Sequence, residues 1–268
     1  MKSFDHRQHN RRAWDQLAKQ KNRFAIPASA ADFEEPLKKV DGPGWLGASI
    51  EGKRVLCLAA GGGRHGPIYA AAGAKVTVVD ISPEMLELDR TIAKRYGFAL
   101  QVVETSMEDL SMFDDASFDI VIHPVSTCYV PATAHLFNEV ARVTCAGGCY
   151  ISQHKQPTSL QATLEPGRQG YAIVHRYRNE NALPPATKEN HVRESGTAEF
   201  VHTWEALLGN MCRAGFAIQD LIEPSHEDPA ASPGSFAHRS QFIAPYVRVK
   251  ALRNNELPRK QDSIIHLE

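Results

Sequence analysis

Three consecutive glycines that follow a short apolar stretch are the residues of this sequence best suited to bind a ligand. The stretch 54–60 is typical of a buried strand, and Gly61, Gly62 and Gly63 come directly after it. Glycines let the backbone approach a ligand closely, and a helix that begins just after them points N–H groups at the same place. A second stretch ends on Asp80 about 20 residues further on, where a carboxylate can accept two hydrogen bonds from a ribose diol. Together these residues predict a site for a cofactor that contains adenosine.

The elements that must position these residues alternate regularly between strand and helix. The strands are predicted at 54–60, 75–80, 99–104, 118–125, 149–154, 216–224 and 241–252. Ser82 and Gly97 are typical of the first and last caps of a helix between the second and third strands. Only a loop joins the last two strands, so these two are antiparallel if they are neighbours. The fold class predicted is α/β, with a doubly wound sheet of seven strands, mostly parallel with an antiparallel last strand.

Composition limits the class of protein. The chain has 268 residues, 43% of them hydrophobic, and a formal net charge of -1. The near-zero charge disfavours nucleic acid as the main partner, because that partner needs a basic face. No apolar run reaches the ~18 residues of a membrane span, and the polar N-terminus lacks the apolar region of a secretory signal. The five cysteines are scattered and do not form a metal-binding pattern. We therefore expect a cytoplasmic protein with no membrane and no metal.

Several stretches of the sequence resemble the motifs of one known family. VLCLAAGGG is similar to that family's first motif, VLDLGCGTG, and VTVVDIS is similar to its second. NEVARVTCAGGCYIS is similar to its later helix, glycine turn and fifth strand. The family is that of the class I S-adenosylmethionine-dependent methyltransferases, and the resemblance extends over 53–154 by motif and over 203–252 by pattern. It implies a Rossmann-like fold, S-adenosylmethionine as the cofactor, and methyl transfer by in-line displacement.

The resemblance also implies roles for single residues. Asp80 would bind the ribose, and Met85 would pack against the adenine. Ser106 stands where an Asp often takes the adenine amino group, so that bond is weakened or moved to Glu108. Cys57 replaces the acidic residue of the first motif, and the contact of that acid with the methionine amino group stays open. The cofactor-binding positions implied are Ala59, Ala60, Gly61, Gly62, Gly63, Asp80, Ile81, Met85, Ser106, Met107, Glu108, His123 and Val125.

Candidate catalytic residues come from the carboxyl ends of the fourth and fifth strands, where sites of open α/β sheets lie. His123 would contribute its backbone to the cofactor wall, or else act as a base. His154 would act as a general base or acceptor contact, or else be a histidine hydrogen-bonded at a strand end. Tyr129 would place its ring near the sulfonium methyl, or else pack at the start of a helix. His154 and Tyr129 are therefore the predicted catalytic residues.

The chain is longer than one domain requires, and we expect the additional residues to form a cover over the site. We expect a helical lid or cap segment over 1–50, a methyltransferase domain over 51–254 with an insertion at about 155–200, and a polar tail over 255–268. In the lid, Trp14 and Phe24 would close over the cofactor. The insertion carries residues that would receive an anionic or aromatic acceptor, or else form a solvated surface: Tyr171, His175, Arg176, Tyr177, Arg178, His191 and Arg193.

The predicted partner is a small-molecule methyl acceptor, bound by a monomer or a homodimer. The residues after the fourth strand, 123–126, lack the Pro-Pro-aromatic motif of amino-adenine methyltransferases and the paired glutamates of protein-arginine methyltransferases. Two alternatives stay open. An NAD(P)-dependent oxidoreductase is one, because 61–66 also satisfy GxGxxG. A non-catalytic cofactor-binding protein is the other, because the first motif is eroded at Cys57 and Ala59.

Overall fold

The central element of the fold is a seven-stranded sheet in the order β3-β2-β1-β4-β5-β7-β6. The computed structural model describes residues 4–186 and 192–255. Within them the strands are β1 (Arg54–Leu58), β2 (Lys75–Asp80), β3 (Leu100–Glu104), β4 (Phe118–His123), β5 (Thr144–Lys155), β6 (Phe216–Ile222) and β7 (Tyr246–Arg253).

Strand directions agree with the prediction. β1 pairs in parallel with β2 and β4, β2 with β3, and β4 with β5. β7 is antiparallel to both of its neighbours, β5 and β6. The predicted fold, a mostly parallel doubly wound sheet with an antiparallel last strand, is confirmed. The carboxyl ends of β1, β2 and β4 therefore meet at one edge of the sheet, which is where the glycines and Asp80 lie.

Helices cover both faces of the sheet. They are α1 (His6–Lys19), α2 (Pro36–Val40), α3 (His65–Ala71), α4 (Pro83–Tyr96), α5 (Ala134–Val143), α6 (Pro157–Gln161), α7 (Asn210–Arg213) and α8 (Phe236–Ser240). The ends of α4 follow the predicted caps. The Ser82 hydroxyl accepts a hydrogen bond from the Met85 N–H at 3.1 Å, and Gly97 ends the helix in a left-handed conformation with φ 77°.

The core is divided between the two faces because side chains alternate along each strand. On one face, Leu56 and Leu58 of β1 pack in a cluster with Phe137 of α5. On the other face, Val55 and Cys57 pack in a second cluster with residues of α2 and α3. Cys57 is fully buried among apolar side chains. An acid at this position would lose its hydration there.

Several predicted boundaries are corrected. β7 begins at Tyr246 rather than at 241, because 236–240 form α8. The helix predicted over 203–215 is present over 204–213, where a π-helical stretch, Glu205–Gly209, continues directly into α7. The insertion begins with α6 and then forms irregular structure with isolated bridges. His191 and the tail from 256 lie outside the described residues. Among the helices that the structure describes, none is long and apolar enough to cross a membrane.

Candidate active site

A cavity of about 390 Å³ lies at the carboxyl ends of β1, β2 and β4. The sheet side of its wall contains most of the predicted cofactor positions, together with Tyr129: Ala59, Ala60, Gly61, Gly62, Asp80, Ile81, Met85, Ser106, Met107, Glu108 and Val125. The opposite side is formed by the N-terminal segment, including Trp14 and Phe24. Gly63, His123 and His154 do not line this cavity.

The turn after β1 requires glycine at specific positions. A Cβ atom on Gly61 would lie 2.9 Å from Cβ of Met85 and 3.0 Å from the carboxylate of Asp80. Gly63 has φ 71°, and a Cβ atom there would lie 2.8 Å from the carbonyl oxygen of Leu88. Any larger residue would push the turn away from α4 or fill the cavity beside Asp80. The glycines therefore keep the backbone close both to α4 and to whatever occupies the cavity.

Asp80 is fixed at the end of β2 by two backbone groups. Its carboxylate accepts hydrogen bonds from the N–H groups of Gly61 and Ser82, each at 2.9 Å. Only 8% of the residue is exposed, and burial raises the pKa of Asp80 to about 6. Each carboxylate oxygen has a second acceptor position, so Asp80 can still accept hydrogen bonds from ligand hydroxyls in the cavity.

A second buried carboxylate, that of Asp89 on α4, also holds the glycine turn. One of its oxygens accepts hydrogen bonds from the N–H groups of Gly62 and Gly63, at 2.9 and 3.0 Å. Its other oxygen has no hydrogen-bond partner among the described residues. Burial raises the pKa of Asp89 to about 7. Sequence reasoning missed this residue, although an Asp on the apolar face of the predicted helix was the available signal.

Glu108 joins the β3 side of the cavity to α1. Its carboxylate accepts a hydrogen bond from Arg7 Nε at 2.7 Å and pairs with His6 Nε2 at 3.0 Å. Burial raises the pKa of Glu108, but the bonds from Arg7 and His6 outweigh burial, and the pKa is lowered overall. Ser106 Oγ lies 3.4 Å from the same carboxylate. The two candidates for the adenine amino group thus lie together, and one of them also anchors α1.

Three further contacts hold α1 over the cavity. Asn10, which is buried, donates to the carbonyl oxygens of Tyr129 and Ala198, both at 3.1 Å. Asp15 accepts a hydrogen bond from the Ser82 hydroxyl at 2.6 Å. The ring of Trp14 packs edge-on against Tyr129, with centroids 5.7 Å apart. Because these contacts reach three separate elements, α1 is docked on the domain rather than projecting from it.

The two strand-end histidines lie in the core. His154 pairs with the hydroxyls of Thr127 and Ser152, at 2.9 and 2.8 Å, and is fully buried. His123 pairs with Tyr150 and Ser126, at 2.8 and 2.6 Å. Burial lowers the pKa of each histidine to about 3, so both rings are neutral. His154 is therefore not placed as a general base; it fits the alternative of a histidine hydrogen-bonded at a strand end. At β4 the wall is formed by 124–126 instead of His123.

Tyr129 lines the cavity, as predicted, and is connected to a buried ionic cluster. Its hydroxyl donates to Glu194 at 2.7 Å. Glu194 also accepts from Lys155, which pairs in addition with Glu199, and Glu199 in turn pairs with Arg193. The charges of two cationic and two anionic side chains thus cancel in a cluster that is almost completely buried. Burial and the nearby glutamates raise the pKa of Tyr129 well above its usual range, so its phenol stays protonated.

Comparisons with known proteins identify the family. Residues 56–152 match the family model described as "Methyltransferase domain". The chain is 34% identical over 229 residues to the "Uncharacterized methyltransferase YbaJ" of Bacillus subtilis (strain 168), a match that covers 80% of this chain and 89% of the relative. The chain belongs to the class I S-adenosylmethionine-dependent methyltransferases. The predicted family and enzyme class of this methyltransferase are thereby confirmed, and the oxidoreductase alternative is not supported.

Solved structures agree with this methyltransferase fold. An S-adenosylmethionine-dependent methyltransferase from Mesorhizobium loti superposes with a TM-score of 0.60 at 21% identity, over 80% of this chain and 97% of the other. The geranyl diphosphate C-methyltransferase of Streptomyces coelicolor A3(2), solved with Mg²⁺, geranyl diphosphate and S-adenosyl-L-homocysteine, gives 0.61 at 15%, over 94% and 99%. At these identities the likeness shows the fold alone.

The residues of the cavity fit the cofactor of this methyltransferase, S-adenosylmethionine. At Gly61, a Cβ atom would crowd Asp80 and Met85, so the space beside the carboxylate is kept open by the absence of a side chain. Asp80 offers acceptors for hydroxyl groups, and Ser106 and Glu108 offer polar groups at the far end of the same cavity. No group of histidine, cysteine or acidic residues that could hold a metal is found in the described part of the methyltransferase.

Proposed function

We propose that this methyltransferase methylates a small-molecule acceptor in the cavity beneath α1. The observation that carries the proposal is that the glycine turn, Asp80 and Tyr129 line one cavity that the N-terminal segment covers. A cavity of about 390 Å³ is in the size range of small-ligand sites, whereas a polymer acceptor would need an open groove. The net charge of -1 likewise supports an acceptor other than nucleic acid.

The cofactor would be held by the turn after β1 and by the ends of β2 and β3. Asp80 would accept the ribose hydroxyls, Met85 would pack against the adenine, and Ser106 and Glu108 would face its amino group. When bound, S-adenosylmethionine supplies a methyl group on a positively charged sulfur. The chain contributes chiefly by holding the reactants in line, an effect that can lower a barrier by roughly 7–11 kcal/mol.

Tyr129 would position the acceptor rather than exchange a proton with it. Its hydroxyl hydrogen is directed at Glu194, and its raised pKa keeps the phenol neutral. The ring centroid of Tyr129 lies 5.7 Å from that of Trp14 and 5.8 Å from Lys155 Nζ. A ring held by these contacts and by the hydrogen bond to Glu194 can form a rigid wall next to a cationic methyl group.

Residues 1–50 would act as the cover of the site, and 51–254 as the methyltransferase domain. The contacts of α1 to Glu108, Ser82 and Tyr129 support this division, because they reach the two ends of the cavity. Within the described residues the five cysteines are free thiols, which supports a cytoplasmic location. A monomer or homodimer stays a prediction.

The test is the fate of a labelled methyl group. Wild-type protein and Asp80→Ala would be incubated with methyl-labelled S-adenosylmethionine and three separated cell fractions: metabolites, proteins and nucleic acids. We expect label in the metabolite fraction with the wild type and its loss with Asp80→Ala. Label only in proteins or nucleic acids would contradict a small-molecule acceptor. Absence of label from every fraction, with the cofactor still bound, would favour the non-catalytic alternative.

A further inference from the structure

A second cavity, of about 160 Å³, adjoins the cofactor cavity. Four residues belong to the walls of both: Arg64, His65, Pro124 and Gln153. The remaining wall comes from α2 and the loop after it, from Ile68 and Tyr69 on α3, from the ends of β4 and β5, and from Arg248 on β7. His65 and Gln153 therefore face both cavities, so ligand groups in the two cavities would meet at these residues.

Cationic side chains outnumber free carboxylates around the second cavity. Lys39 and Arg64 share one carboxylate, that of Asp32, at 3.0 and 3.3 Å. Asp41 is the acid in the wall itself, and both of its oxygens accept backbone N–H bonds from the following loop, at 2.8 and 2.6 Å. Lys39 and Arg64 therefore have the single carboxylate of Asp32 between them, and Asp41 is already hydrogen-bonded to the backbone.

Arg248 is the cation best placed to bind an anion. Its Nε and Nη2 atoms donate to the amide oxygen of Gln153, at 3.1 and 2.9 Å, and it pairs with no carboxylate in the described part of the chain. The amide carries no charge, so the guanidinium remains uncompensated in the wall. Guanidinium groups bind carboxylate and phosphate oxygens by strong, directed hydrogen bonds.

His65 lies between the two cavities, in the first turn of α3, directly after the glycine turn. Its imidazole makes no hydrogen bond to any described residue. Burial, together with the charges of Arg64 and Arg248, lowers the pKa of His65 to about 4. At neutral pH the ring is therefore uncharged, and one of its nitrogens is free to accept a proton.

We propose that the second cavity binds an oxyanion of the methyl acceptor on Arg248, and that His65 accepts the proton that the acceptor loses. This inference rests on the proposed function. On transfer, the acceptor atom forms a bond to the methyl carbon and gives its proton to the imidazole, while the broken carbon–sulfur bond leaves its electron pair on sulfur. The acceptor is thus a small carboxylate or phosphate compound with a protonated nucleophilic atom.

Binding of the anion would also make His65 a better base. An oxyanion against Arg248 and Arg64 offsets the two positive charges that hold the pKa of the imidazole down. The other charged groups in the wall, Lys39 and Asp41, stay engaged with their own partners. The pKa of His65 then rises above about 4, while burial still holds it below its ordinary value of 6.5, and the imidazole becomes a stronger base.

The first test measures anion binding without turnover. The pKa of His65 would be followed by NMR in the wild type, Arg248→Gln and Lys250→Gln, alone and with sodium acetate or inorganic phosphate. Lys250→Gln removes a cation from the same strand outside the cavity. We expect one of the anions to raise the pKa of His65 by at least one in the wild type and the control, and to leave it unchanged in Arg248→Gln. A response to acetate identifies a carboxylate site, and a response to phosphate a phosphate site. A pKa that neither anion moves, or that moves equally in Arg248→Gln, would overturn the proposal.

The second test separates His65 from the cofactor site. His65→Gln and Arg248→Gln should bind S-adenosylhomocysteine as the wild type does, yet label the metabolite fraction at least tenfold more slowly. Asp80→Ala should weaken the binding of S-adenosylhomocysteine and slow the labelling of the metabolite fraction as well. Wild-type labelling by His65→Gln and Arg248→Gln would overturn this inference and leave the proposed function intact. Loss of the small-molecule product in the wild type would instead overturn the proposed function, and the NMR titration would still decide whether the anion site exists.

Discussion

Replacing Asp89 by asparagine tests the hidden carboxylate behind the glycine turn. The variant keeps an oxygen that can accept the bonds from Gly62 and Gly63 but cannot ionise. Because burial raises the pKa of Asp89 from 3.8 to about 7, the folded protein binds more protons than the unfolded chain between these two values. The free energy of unfolding of the wild type therefore falls as pH rises through this window.

The size of this effect follows from the two pKa values of Asp89. The difference between 3.8 and about 7 corresponds to about 4 kcal/mol, of which about 3 kcal/mol falls between pH 5 and pH 8. Asp89→Asn removes this contribution. The free energy of unfolding of the variant, minus that of the wild type, should therefore rise by about 3 kcal/mol from pH 5 to pH 8. Asp80 titrates in both proteins, and its charge helps to raise the pKa of Asp89, so the measured difference includes the interaction between the two carboxylates.

Urea unfolding at the two pH values measures this difference directly. Glu87→Gln, an exposed acid on the same helix, is the matched control and should keep the pH dependence of the wild type. Asp89→Ala leaves both N–H groups without an acceptor, at about 1–3 kcal/mol each, and should weaken binding of S-adenosylhomocysteine. Parallel pH dependence in Asp89→Asn and the wild type would refute the assignment of a buried, destabilising carboxylate behind the turn.

Three other substitutions probe the rest of the site. Lys155→Met leaves two buried glutamates without their shared cation and should lower the free energy of unfolding by about 3–5 kcal/mol in urea denaturation, whereas Lys250→Met should not. Glu108→Gln weakens the hold on α1, so trypsin should cut the N-terminal segment faster while the stability of the remaining chain changes by less than about 1 kcal/mol; an unchanged cleavage rate would contradict this. The pKa of His154 is lowered to about 3, so below pH 6.5 the unfolded chain binds more protons than the folded protein, and the free energy of unfolding falls as the pH is lowered. His154→Gln should reduce this fall. The same dependence of the free energy of unfolding on pH in the variant and the wild type would show that His154 does not cause it.

The glycine turn and Asp80 could be predicted because each lies in a short segment directly after a strand. The carboxyl ends of parallel strands lie at the same edge of a sheet, so these two segments come together. The mostly parallel direction of the strands and the antiparallel last strand followed from the same local pattern. These features all depend on residues near one another in sequence, or on rules of sheet connection.

The choice between the two predicted roles of His154 could not be made from the sequence, because strand alternation does not tell which face of β5 is covered by the turn that contains Thr127. Asp89 was missed for a related reason: its partners lie in a turn that only the docking of α4 brings close. The pairing of Lys155 with Glu194 joins residues 39 positions apart through the irregular insertion. Each of these depends on tertiary packing, which periodicity does not specify.

Calorimetric titration of S-adenosylhomocysteine into the wild type and Asp80→Ala, with NADH as the competing ligand class, tests the central claim most directly. We expect the wild type to bind S-adenosylhomocysteine and not NADH. Loss of the charge-assisted hydrogen bonds in Asp80→Ala should weaken binding by about 1–3 kcal/mol, or roughly 5- to 150-fold. Binding of NADH without S-adenosylhomocysteine, or equal affinity in Asp80→Ala, would contradict the account of a cofactor held beside the glycine turn.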